Sequence, residues 1–114
     1  AYQDYTARTK FQEVVSLSQG YKTTVAMCIN ENNGTLTSCN AGASGIPAAI
    51  TAGTYKYLST LGVAAGVITG TAISGSEGLS GETYILTPTV ATTGITWKTT
   101  GTCIASNWCK DGGV

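Results

Sequence analysis

Ala7, Phe11, Val14, Ser18, Tyr21, Val25 and Cys28 recur at alternating steps of four and three along the chain. That spacing places them on one face of an α-helix. The pattern predicts one amphipathic helix from about Tyr2 to Ile29. Gly20 weakens it by about 1 kcal/mol relative to Ala, and Val14, Val15, Thr23, Thr24 and Val25 are modest helix formers, yet the periodicity prevails. Asn32-Asn33-Gly34 then supplies a stop, because Asn and Gly tolerate the left-handed conformation. The stripe is already running at Ala7, and no capping residue followed by Glu precedes it. We therefore expect the chain to begin inside a helix whose upstream part has been removed.

Thr35 to Thr60 reads as a long connection rich in Gly, Ala, Ser and Thr, carrying Ile46-Pro47 and the aromatic pair Tyr55 and Tyr57. Connections of this length are functional or separately tied down. Beyond Leu61 the pattern changes to strands. Val63 to Ile73 is a β-branched run punctuated by Gly. Glu82 to Val90 alternates, with Tyr84, Leu86 and Pro88 set against Thr83, Ile85 and Thr87. Pro88 lacks an N–H, which points to an edge or a strand end. A turn over Ala91 to Gly94 leads to a strand from Ile95 to Thr100, with Ile95 and Trp97 opposite Thr96 and Lys98. Short connections make neighbouring strands antiparallel. The expected fold class is α+β, one domain over 1–114. It comprises a helix over 1–30, a connection over 31–61, a three- to four-stranded antiparallel sheet over 62–102 and a tail over 103–114. Phe11, Val14, Tyr21 and Val25 are expected to pack on the inner face of that sheet.

A chain of 114 residues is the size of a single domain with a modest core. Six basic and six acidic residues cancel, so net charge steers the chain toward neither nucleic acid nor an anionic membrane. Only 11% of residues are charged, a composition suited to a β-rich extracellular protein. The longest apolar stretches, such as Gly62 to Ile68, are too short to span a bilayer.

The four cysteines, Cys28, Cys39, Cys103 and Cys109, allow three pairings. The local pairs Cys28–Cys39 and Cys103–Cys109 are expected, because each closes a short loop worth about 2–3 kcal/mol in the chain-entropy account. A zinc site would need closer ligand spacing, and the chain has no His. Disulfides in turn imply an oxidising compartment.

Catalytic chemistry finds little support. Without His there is no common general base. Asp4, Glu13, Glu31, Glu77, Glu82 and Asp111 are scattered, and no Ser-x-x-Lys or phosphate-loop pattern occurs. We expect no enzyme, no cofactor and no bound metal. Asn33-Gly34-Thr35 fits a glycosylation acceptor, but a turn after a helix explains it more simply. Tyr2, Tyr5 and Tyr21 at helical spacing suit packing better than a stacking platform. Trp97 is expected in the core. Trp108, inside the second cysteine loop, is either an exposed contact residue or an anchor for the tail.

The opening AYQDYTARTKF resembles the segment that follows the apolar half-helix of Gram-negative type IV pilins. A Y-x-x-Y-x-A-R run stands here as Tyr2, Tyr5, Ala7 and Arg8. The ending is similar too: Gly94-Ile95-Thr96-Trp97-Lys98 leads to Cys103 and Cys109, as pilin sheets lead to a C-terminal disulfide loop. The order of helix, long loop, sheet and stapled tail covers the whole chain. The chain departs from the family in three ways. The apolar half-helix and its Glu are missing, five residues between Cys103 and Cys109 make a short loop, and Cys28–Cys39 is an extra staple.

The resemblance implies a structural subunit of a type IV pilus supporting adhesion, twitching motility or DNA uptake. It implies a homopolymer built through the helix of the full-length protein, the pilus assembly machinery and minor pilins as partners, and membrane contact only through the missing segment. The expected location is the extracellular filament, preceded by an inner-membrane pool. DNA is left open as a partner, since Arg8, Lys10, Lys22, Lys56, Lys98 and Lys110 are dispersed in sequence. The alternatives are a minor or competence pilin that binds DNA or surfaces, a secretion-system pseudopilin, and an unrelated secreted binding domain. Pseudopilins typically hold calcium where this chain has its C-terminal cysteines. If both local disulfides form, reduction should raise the intact mass by about four hydrogens, two per bridge; a gain of two or none overturns the two-bridge pairing.

Overall fold

The computed structural model describes residues 2–42, 45–51, 53–76, 78–92, 94–104, 108 and 112–113. A helix of 30 residues, α1 (Tyr2–Glu31), precedes the strands β1 (Leu58–Ala64), β2 (Val67–Ala72), β3 (Ser74–Ser76), β4 (Leu79–Ser80), β5 (Thr83–Ala91), β6 (Gly94–Thr100) and β7 (Gly112–Gly113). The main sheet runs β1-β2-β5-β6-β7, every pair antiparallel, and β3 and β4 form a small separate hairpin. Since β7 is two glycines beside Lys98 and Thr99, four strands carry the sheet. The class is the expected one: an N-terminal helix laid across a four-stranded antiparallel sheet.

The helix ends through backbone chemistry that Asn and Gly permit. Asn33 and Gly34 take φ values of 57° and 88°. The Gly34 N–H then reaches back to the Ile29 carbonyl at 2.8 Å, closing the last turn. The Asn32 side-chain amide donates to the Cys28 carbonyl at 2.8 Å, satisfying another terminal acceptor.

The Val63–Ile73 run, expected as one strand, folds into two. Ala65 and Gly66, at φ 49° and 83°, turn β1 into β2. Two consecutive positive φ values match the twist of an antiparallel hairpin. An Ala in the first of these positions gives no turn signal, which is why the run reads as continuous. Pro88 sits inside β5 opposite Trp97. It lies past Leu86, the last residue of β5 that pairs with β2, so its missing N–H removes no bond on that side.

The registers decide which residues meet the helix. Leu61, Gly70 and Tyr84 share one row, and Val63, Ile68, Leu86 and Thr99 share the next. Those side chains are buried, whereas Thr69, Thr71, Ile85 and Thr87 on the opposite face are half-buried and Thr89, Thr96 and Lys98 are exposed. The outer face is thus largely threonine, a β-branched residue that suits an exposed pleated surface without charge.

All seven positions of the helix stripe are buried. Phe11, Val14 and Val25 are fully excluded from water, and Tyr21 nearly so. The helix comes closest at β2. A Cβ added to Gly70 would lie 2.5 Å from Ser18 Oγ, 3.0 Å from Val14 Cγ1 and 3.2 Å from Leu61 Cδ1. Glycine at this position is what lets the backbone of β2 approach the helix. The Ser18 hydroxyl beside it is buried without a hydrogen-bond partner among the described residues.

A disulfide joins Cys28, at the helix end, to Cys39 in the connection, with their Cα atoms 5.9 Å apart. Cys39 then accepts the Gly66 N–H at 2.8 Å through its carbonyl, which ties the bridge to the β1–β2 turn.

Three sets of substitutions test these contacts. Gly70→Val should lower unfolding free energy in urea by about 1–3 kcal/mol through overpacking, while Ser18→Ala should leave it unchanged or raise it by about 1 kcal/mol, since an unpaired buried hydroxyl is lost. Replacing both Cys28 and Cys39 by Ser should cost about 3 kcal/mol in the same assay, with faster amide exchange at Gly66 as the local sign.

Candidate assembly surface and stapled loop

The helix that buries one stripe leaves another open. Gln12, Ser16, Thr23, Met27 and Asn30 are exposed on the face away from the sheet, and Met27 is the most exposed large apolar side chain described. The central part of this face carries no charge between Arg8 and Glu31 among its exposed residues. Copies of one chain can meet through such a face without accumulating like-charge repulsion. Phe11, Val14, Tyr21 and Val25 are buried in the core of the chain.

The connection after the helix is closely tied to the sheet. Ile50 and Leu61 exchange backbone hydrogen bonds at 2.8 and 3.0 Å, and the Ala41 N–H donates to Val63 at 3.0 Å. These bonds cover the outer edge of β1, which would otherwise offer free donors and acceptors to another strand. The Asn40 side chain accepts the Ala65 N–H at 2.9 Å. From the helix, the Tyr21 hydroxyl donates to the Ala48 carbonyl at 2.8 Å. Burial pushes the Tyr21 phenol above its ordinary value, and the nearby Tyr55 adds to the shift. A raised pKa keeps the donor protonated, so its contribution is complete below the ordinary tyrosine range and is lost as pH rises through the folded value.

Three lysines lie against aromatic rings. Lys22 Nζ is 5.8 Å from the Trp97 ring centroid, while Lys10 and Lys56 lie 5.0 and 5.6 Å from the ring of Tyr57. Folding thus gathers Lys10 and Lys56, which are far apart in sequence. The sequence pattern singled out Tyr55 and Tyr57 as an aromatic pair, but no spacing rule links them to a helix residue.

Thr102, Cys103 and Trp108 each contact the core. Thr83 and Thr102 exchange backbone-to-hydroxyl bonds at 2.9 and 3.0 Å. Cys103 is buried and donates its N–H to the Thr83 carbonyl at 3.1 Å. Its expected partner Cys109 lies outside the described residues, as does Lys110. Trp108 is buried, and its ring stands 5.5 Å from that of Phe11. The exposed-contact reading of Trp108 is therefore replaced by the anchoring one: an aromatic pair fastens the tail to the helix. Among the described residues no group of three or more His, Cys, Asp or Glu could hold a metal ion, and no helix is long and apolar enough to cross a membrane.

The fold and its open helix face invite comparison with known proteins. Residues 7–111 match the Pilin family, described as a bacterial filament. The chain is 33% identical over 88 residues to prepilin peptidase-dependent protein D of Escherichia coli K12, covering 77% of this chain and 56% of that protein. It is 43% identical over 49 residues to the type IV pilus subunit protein TapA of Aeromonas hydrophila, covering 43% of this chain and 34% of TapA. The matched part is therefore about half, or less, of the length of these relatives. With a family match across nearly the whole chain and a helix-on-sheet fold to go with it, the chain belongs to the pilins, as a type IV pilin.

Proposed function

We propose that this chain is a structural subunit of a type IV pilus on the bacterial surface, polymerised through the helix of the full-length protein. The one-sided burial of α1 carries this reading. One stripe is spent on the sheet, and the opposite, uncharged stripe is left for neighbours. In a filament of identical copies, the sheets would then face outward. The near absence of charge on the outer threonine face suits dense packing, where like charges would otherwise add up. The subunit works by shape and adhesion between copies, and no catalytic step is invoked.

On this reading a pool of subunits waits in the inner membrane, held by the apolar segment expected upstream. The assembly machinery extracts them into the filament, with minor pilins as further partners. The filament supports adhesion, twitching motility or DNA uptake. Filaments sheared from the native cells and identified by mass spectrometry test the proposal. The expected result is this chain as the dominant component, preceded by an apolar segment with a processed N-terminus. A trace amount would favour the minor-pilin reading, and absence from filaments would overturn the proposal.

A further inference from the structure

Asn33 and Gly34 end the helix, and an Asn-Gly pair is also the dipeptide most prone to lose ammonia from its side-chain amide. The reaction needs the following backbone nitrogen to reach the Asn side-chain carbon, and a glycine there puts no side chain in the way. Asn30, Asn32, Asn40 and Asn107 precede Glu, Asn, Ala and Trp, so Asn33 alone has a glycine after it. Asn33 is exposed, and among the described residues its side-chain amide makes no hydrogen bond. The amides of Asn32 and Asn40 are instead held on the carbonyls of Cys28 and Thr37.

The fold restrains the reaction at its nucleophile. The Gly34 N–H donates to the Ile29 carbonyl at 2.8 Å, and the N–H groups of Asn33 and Thr35 donate to Asn30 and Asn32 at 3.3 and 3.1 Å. A nitrogen bonded in this way keeps its proton and stays in the helix-closing turn. Two contacts from outside the turn hold the same corner. The Cys28–Cys39 disulfide ties the helix end to the connection. Val90, on β5, comes so near Gly34 that an added Cβ would lie 3.3 Å from its Cγ1. The Gly34 nitrogen is therefore released only when the corner opens locally.

We propose that Asn33 is a self-modification site gated by this corner, which records each opening that leads to reaction as a lasting carboxylate. In the open corner the Gly34 nitrogen attacks Asn33 Cγ, and a new C–N bond forms. The bond from Cγ to the amide nitrogen breaks, and ammonia leaves with the proton from Gly34. Water, the one co-reactant, then opens the succinimide at either carbonyl to give aspartate or isoaspartate. Both products set a negative charge against the last carbonyls of the helix, where the dipole disfavours it, with Glu31 close in sequence. Isoaspartate also adds a methylene to the backbone, so the bond from Gly34 to Ile29 cannot re-form in its original geometry. The product thus opposes closure of the corner that had protected it. This goes beyond the structural-subunit reading and does not depend on it.

Timed incubation of the chain at mildly alkaline pH, read by tandem mass spectrometry of the tryptic peptide from Thr23 to Lys56, tests the proposal. The mass gain of amide-to-acid conversion should appear at Asn33. It should appear about tenfold or more slowly in the folded chain than in the chain held in urea with reductant, because only the open fraction reacts. Replacing both Cys28 and Cys39 by Ser should speed the reaction of the folded chain, with circular dichroism confirming the fold. Asn33→Asp, which supplies the carboxylate directly, should exchange the Gly34 amide hydrogen faster than the parent chain does. Equal rates in the folded and unfolded chains, no gain in the unfolded chain, or a gain placed on Asn30, Asn32 or Asn40 instead would each overturn the site. A folded rate unmoved by loss of the disulfide, or unchanged exchange at Gly34 in Asn33→Asp, would overturn the gating.

Discussion

The close approach of α1 to β2 at Ser18 and Gly70 governs the rest of the structure. A helix can lie on a sheet only as near as the side chains between them allow. Here the interposed residue on β2 has no side chain, and its helix counterpart is a small hydroxyl. Val14 and Leu61 close in around that point, and the larger residues Phe11, Tyr21 and Val25 fill the space toward the two ends. The unsatisfied Ser18 hydroxyl is the physical consequence of that fit, since a partner polar atom would need room that the contact removes.

A single domain of this size has limited core, and covalent and hydrogen-bonded ties extend it at both ends. At the helix C-terminus the Cys28–Cys39 bridge, the Asn32 cap and the Gly66 bond converge on one corner. Toward the helix N-terminus, the buried Trp108 lies against Phe11. The connection between helix and sheet is irregular in backbone, yet it serves as an edge cover for β1. It is therefore part of the sheet's protection as well as a link.

Much of this was legible in the residues. Steps of four and three carry the helix stripe, and each stripe position is buried. Period-two alternation around Tyr84 and Leu86 carries the central strand. What escaped was local geometry and long-range contact. The Ala65-Gly66 turn lies in a run of strand formers, and only the backbone shows its positive φ values. The meeting of Lys10 with Tyr57 depends on how the connection crosses the helix, which no local period records. Trp108 could be weighed only as exposed or anchoring until Phe11 was seen beside it. Fold class follows from patterns repeated over many residues, whereas surface sites arise from single juxtapositions.

The corner formed by Cys28 and Cys39 also bears on mechanics. The molecule is elongated, 46 Å along its greatest extent, with the helix as its long member. A pull along that member loads the stripe contacts together in shear, instead of peeling them one at a time. Near the far end of the helix the load meets a covalent bond, which passes it to the connection and, through Gly66, to the β1–β2 turn. The staple thus places its strongest link where a tensile load would leave the helix, so that the sheet and helix stretch as one body.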